Sequence, residues 1–116
     1  MSKAKISDVR QGVTLYYVHA FPHKEISGYI TKMVVTERPK RNEIGLFSVA
    51  KFQCADGSDS YSCPWSLRDA GIIPNKANFH KTFTSRKAAQ RYLNRMNRVC
   101  LNAAERVKYN KKILDW

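Results

Sequence analysis

A chain of 116 residues, 43% apolar and 11% aromatic, is long enough to bury one core without metal or disulfide staples and too apolar to be disordered. No apolar run approaches the roughly 18 residues of a spanning helix, and Met-Ser-Lys-Ala-Lys-Ile at the start has no hydrophobic stretch behind it, so neither a membrane span nor a secretory signal is expected. The net charge of +12 is unevenly spread: from Gly71 onward eleven Lys and Arg face only Glu105 and Asp115. Three cysteines, Cys54, Cys63 and Cys100, are odd in number and form no CxxC pair, which predicts reduced thiols in a cytoplasmic protein.

In chain order, residues 13–21 are rich in β-branched and aromatic types and predict a strand that Pro22 ends. A second strand is expected over 26–36, with Gly28 marking a bulge. Residues 37–43 then make a charged, proline-containing loop that holds Arg38, Lys40 and Arg41. In a third strand, about 45–54, Leu46, Ser48, Ala50 and Phe52 alternate onto one face. Ala55-Asp56-Gly57-Ser58 is a tight-turn signal, and 59–63 returns as a short fourth strand that Pro64 breaks. Residues 65–71 suggest a single helical turn closed by Gly71, and 79–83 a fifth short strand.

The best-supported element is a helix over 84–112, capped by Thr84 or Ser85 and stapled by Phe83. Ala89, Tyr92, Leu93, Met96, Val99, Cys100, Ala103 and Val107 recur at spacings of three and four and predict one broad packing face. Lys87, Arg91, Arg95, Arg98 and Asn102 fall in a second stripe, with Arg106 beside it. The tail adds Lys111 and Lys112 before the apolar cluster of Ile113, Leu114 and Trp116. These elements predict a single α+β domain: a small antiparallel sheet or SH3-like barrel of four to five strands, with the long C-terminal helix packed on it.

No catalytic constellation stands out. His19 and His23 flank a proline on a strand, and no acid or cysteine at zinc spacing accompanies them. Asp56 and Asp59 are explained by the turn, and Cys63 with His80 lacks an orienting third group. There is no Walker-type lysine loop and no GxGxxG, so no cofactor, no metal and no enzymatic activity is expected. The basic stripe is different in kind. Acids at i−4 or i+4, which stabilise a solvated helix face, are almost absent from it, and like charges in one row repel. Such a row predicts a docking surface for a polyanion or an acidic partner. Outward rings that would stack unpaired bases are sought at Tyr16, Tyr17, Tyr29, Phe47, Tyr61 and Trp116.

The segments 12–18 (Gly-Val-Thr-Leu-Tyr-Tyr-Val) and 83–93 (Phe-Thr-Ser-Arg-Lys-Ala-Ala-Gln-Arg-Tyr-Leu) resemble those of small bacteriophage early or accessory proteins. That resemblance implies two roles, handling nucleic acid during infection or binding and blocking a host enzyme or defence complex. The expected function is non-enzymatic, largely sequence-tolerant nucleic-acid binding, DNA ahead of RNA. Its phosphate contacts are expected from Lys87, Arg91, Arg95, Arg98, Arg106, Lys111 and Lys112, with Arg38, Lys40 and Arg41 as a second anchor. The alternative is an inhibitor whose basic surface covers an acidic or nucleic-acid-binding host protein such as a polymerase, nuclease or CRISPR effector. A monomer or weak dimer is expected, away from membranes.

Overall fold

The structure, a computed structural model of the full chain, describes residues 3–21, 28–53, 61–73 and 79–101. The strands are β1 (Thr14–His19), β2 (Tyr29–Arg41), β3 (Leu46–Phe52), β4 (Tyr61–Ser66) and β5 (Lys81–Phe83), followed by the helix α1 (Arg86–Leu101). They form one antiparallel sheet in the order β4-β3-β2-β1-β5. β1 to β4 are a meander; the chain then crosses from one edge of the sheet to the other and adds β5 beside β1.

This is the α+β fold with a sheet, and the barrel alternative is corrected: the sheet stays open. The reason is that each face has its own cover. Strict alternation along β1 sends Leu15 and Tyr17 to one side and Tyr16 and Val18 to the other. The first side packs with Met33, Val35, Ala50, Phe52 and Trp65 under Ala4, Val9, Leu67, Ala70 and Ile72, which come from the N-terminal segment and the crossing turn. The second packs under α1, where Ala89, Tyr92, Leu93 and Met96 are buried. On that second face α1 covers β1, β2 and β5.

Two other expectations change. Residues 37–41 are not loop but the second half of β2, with Lys40 opposite Phe47 and Arg41 opposite Leu46. Register shifts between Val35 and Glu37 and between Glu37 and Lys40 absorb Pro39, which has no N–H to give a ladder. Side chains replace the lost ladder bonds: the Thr36 hydroxyl donates to the Val49 carbonyl (3.0 Å) and the Ser48 hydroxyl to the Glu37 carbonyl (2.7 Å). The tip of this hairpin follows at Asn42, whose Oδ1 accepts from the N–H of Ile44 (2.8 Å) and Gly45 (3.0 Å). Likewise Pro64 does not end β4. It lies within it, opposite Val49 on an edge strand, where a missing donor costs little, and Trp65 and Ser66 belong to the strand rather than to a helical turn.

Gly28 is not at a bulge. It stands just before β2 because a Cβ there would run into the His19 carbonyl and approach Leu93 Cδ1 to 2.8 Å. Its N–H donates to Asn97 Oδ1 (2.9 Å), so this one residue joins the β1–β2 end of the sheet to α1. Gly71, at φ +76°, closes the turn after β4 as expected. Ser85 is the helix cap: its Oγ accepts from the Ala88 N–H (3.4 Å) and its carbonyl from the Ala89 N–H (3.1 Å). The turn at 55–58, the carboxylates Asp56 and Asp59, His23, the continuation of the helix to 112 and the apolar tail lie outside the described residues.

Candidate nucleic-acid interface

β5 is only three residues long, yet it decides where positive charge gathers. Phe83 pairs with Tyr16 and Lys81 with Val18, so both side chains stand on the helix side of the sheet. The outer edge of β5 is covered by the N-terminal segment, where Ala4 N–H donates to the Thr82 carbonyl (2.9 Å) and Lys3 bridges to Phe83. Lys3, opposite Phe83, thereby stands on the same face of the sheet as Lys81, and its positive charge acts on the Lys81 ammonium. Above them runs α1, whose packing face places Tyr92 against Phe83 with ring centroids 5.5 Å apart.

Between these parts lies a cleft of about 650 Å³ lined by Lys3, Lys81, Arg91, Tyr92, Arg95 and Arg98, with Phe83 in its wall. The Tyr92 ring organises it. Lys81 Nζ sits 5.9 Å and Arg95 Cζ 5.3 Å from its centroid, each at cation–π range. The Tyr92 hydroxyl is anchored on the Phe79 carbonyl (2.6 Å). Burial, then the neighbouring charges of Lys3 and Arg95, lower the Lys81 pKa. Among the described residues no carboxylate pairs with any of the five cations.

Of the expected site residues, Arg91, Arg95 and Arg98 are exposed and converge on this cleft. Lys87 is exposed on the same helix but does not line it. Arg106, Lys111 and Lys112 lie outside the described residues. Arg38, Lys40 and Arg41 are exposed, but on the far half of β2. α1 meets β2 near Gly28, and nine or more residues of strand at about 3.3 Å each separate that point from the basic triplet. The proposed second anchor therefore does not join the first.

Lys3 and Lys81 were not among the expected residues. Lys81 had a signal: in a strand over 79–83 it shares a face with Phe83, the residue expected to staple the helix. Lys3 had none, because an isolated bridge leaves no periodic trace.

Across the sheet from the cleft, Tyr29, His19 and Tyr17 stack in a ladder with centroids 4.3 and 4.1 Å apart. His80 stands edge-on to His19, and its Nδ1 accepts from the Ala20 N–H (3.0 Å). Burial, then His80, push the His19 pKa down to about 4. Burial, then Asp69 and Tyr29, raise Tyr17 to about 12. Of the rings sought as stacking platforms, Tyr29 and Tyr61 are half exposed, Tyr16, Tyr17 and Phe47 are partly buried, and Trp116 lies outside the described residues. Cys63 on β4 and His80 before β5 stand at opposite edges of the sheet, too far apart for a thiol–imidazole pair.

No helix among the described residues is long and apolar enough to cross a membrane. No curated protein and no solved structure matches the chain. The family model described as "Phage g100-like protein" matches residues 3–96, from Lys3 of the cleft to the buried Met96 of α1, and the chain belongs to that phage protein family.

Proposed function

We propose that this phage protein is a non-enzymatic nucleic-acid-binding protein whose cleft cations hold phosphates largely without reading bases. One observation carries the reading: Lys3, Lys81, Arg91, Arg95 and Arg98 come from three separate elements to one cleft, with no carboxylate partner among the described residues. A helix face left basic for solubility alone has no need of converging partners from β5 and the N-terminal segment. Phosphate neutralisation releases counterions, so affinity falls steeply with salt. If all five cations engage, log K against log salt has a slope of about −3.5 on single strands and about −4.5 on duplex.

Fluorescence anisotropy over a salt titration, on DNA first and RNA second, tests this directly. A slope near zero overturns it. The same surface also suits an acidic host protein, the alternative implied by a phage origin. Affinity capture from bacterial lysate, with and without nuclease, separates the two: a stoichiometric protein that survives nuclease favours the inhibitor, and recovery of nucleic acid alone favours the binder.

A further inference from the structure

The five cations are not equivalent. Arg91, Arg95 and Arg98 are exposed along the helix and form the upper rim of the cleft. Lys81 is half-buried on β5 beside the Tyr92 ring and makes the floor, and Lys3, itself exposed, flanks it on the same face of the sheet. Two ammonium groups on one side of a cleft repel each other. Neither has a carboxylate partner among the described residues. An anion seated between them would turn that repulsion into attraction.

We propose that the Lys81 floor, flanked by Lys3 and rimmed by Arg91, Arg95 and Arg98, seats a terminal phosphomonoester at the end of a nucleic-acid strand. This rests on the nucleic-acid reading above and narrows it. The diester phosphates of a duplex lie on a convex surface and reach the exposed rim, whereas a floor beneath a rim admits a group that protrudes. The cleft, about 650 Å³, is in the size range of small-ligand sites and takes a nucleotide-sized group, not a duplex. Charge points the same way: a monoester carries about −1.5 to −2 at neutral pH and three acceptor oxygens, against −1 for a diester. The lysines supply point charges and the guanidinium groups of the rim supply forked donors.

The test is anisotropy with three otherwise identical short single strands, ending in a 5′-phosphate, a 3′-phosphate or hydroxyls only, with adenosine 5′-monophosphate as a free competitor. One phosphorylated end is expected to bind about tenfold tighter than the hydroxyl-ended strand. Lys81→Met should cost the phosphorylated strand about 20-fold and the hydroxyl-ended strand about twofold, which erases the preference. Arg10→Gln, an exposed change away from the cleft, should leave all three affinities unchanged. A thermal melt of Lys81→Met checks folding; loss of a half-buried charge should leave the midpoint level or raise it. Equal binding of all three strands, or a preference that survives Lys81→Met, overturns the phosphomonoester seat while nucleic-acid binding stands. Conversely, binding of adenosine 5′-monophosphate in calorimetry with no binding of any strand keeps a phosphomonoester seat and overturns the nucleic-acid reading. Absence of any binding overturns both.

Discussion

The molecule carries two basic clusters that look alike in one dimension and differ in three. Arg38, Lys40 and Arg41 sit close together on one strand, with Glu37 and Glu43 as sequence neighbours and Lys40 already 3.9 Å from Glu37. Arg91, Arg95 and Arg98 are spread along a helix but are met by Lys3 and Lys81 from elsewhere in the chain. The first cluster is local and partly neutralised. The second is assembled by tertiary structure and is left unneutralised among the described residues. Positive charge close in sequence therefore does not mark where cations converge without acids; the fold does.

The sharpest way to break this comparison is charge reversal in each cluster. Arg91, Arg95 and Arg98 changed together to Glu should weaken nucleic-acid binding at least 100-fold, about 2.7 kcal/mol or more. The same reversal of Arg38, Lys40 and Arg41 should cost less than about threefold in the same titration. Equal losses would mean that the hairpin end is an anchor after all. Both triple variants should melt close to the parent, because every substituted side chain is exposed.

A second experiment moves the helix and leaves the hairpin alone. Gly28→Ala places a methyl group into the His19 carbonyl and against Leu93. It should destabilise the fold by about 2 kcal/mol in denaturant titration and weaken binding with it. A variant as stable as the parent would show that α1 is not held to the sheet at this point.

Acid probes the opposite face at the same end of the sheet. Because the His19 pKa is pushed down to about 4 from 6.5, the unfolded chain takes up a proton in that interval and the folded chain does not. His19 thus contributes stability that is complete above pH 6.5 and declines as pH falls towards 4. Its partial exposure discounts the effect to roughly 1–2 kcal/mol. His19→Phe, which keeps a ring between Tyr17 and Tyr29, should flatten this part of the stability–pH curve; an unchanged slope would place the titration elsewhere.

The smallest effect is expected near the hairpin. Trp65 is buried, and its indole N–H finds no acceptor among the described residues. Trp65→Phe trades lost contact area against removal of that unsatisfied donor and should change stability by less than about 1 kcal/mol. A loss of several kcal/mol would reveal a partner for the indole.

Much of the architecture was legible in the residues. Period-two alternation of Leu46, Ser48, Ala50 and Phe52 marked the buried side of β3, and the spacing of Ala89, Tyr92, Leu93 and Met96 marked the packing face of α1. Gly71 and Ser85 announced a turn and a cap. Proline misleads twice, because at Pro39 and Pro64 its missing N–H points to the end of pairing. At the first, bulges and the hydroxyls of Thr36 and Ser48 absorb the missing donor; at the second, an edge strand does. Half of the cleft was legible as a helical stripe, and Lys81 could have been found by the alternation that points it to the helix side.

Taken alone, the order of residues determined which segments alternate, which one winds, and that its arginines share a side of the helix. These are consequences of backbone periods of two and 3.6 residues, set within a few neighbours. Only the three-dimensional fold decided that the sheet stays open with packing on both faces. It also decided that Lys3 and Lys81 share one face and one cleft with the helical arginines, and that the hairpin arginines stay apart from them. Each of these depends on how strands far apart in the chain pair and cross, and such pairings leave no mark in local periodicity.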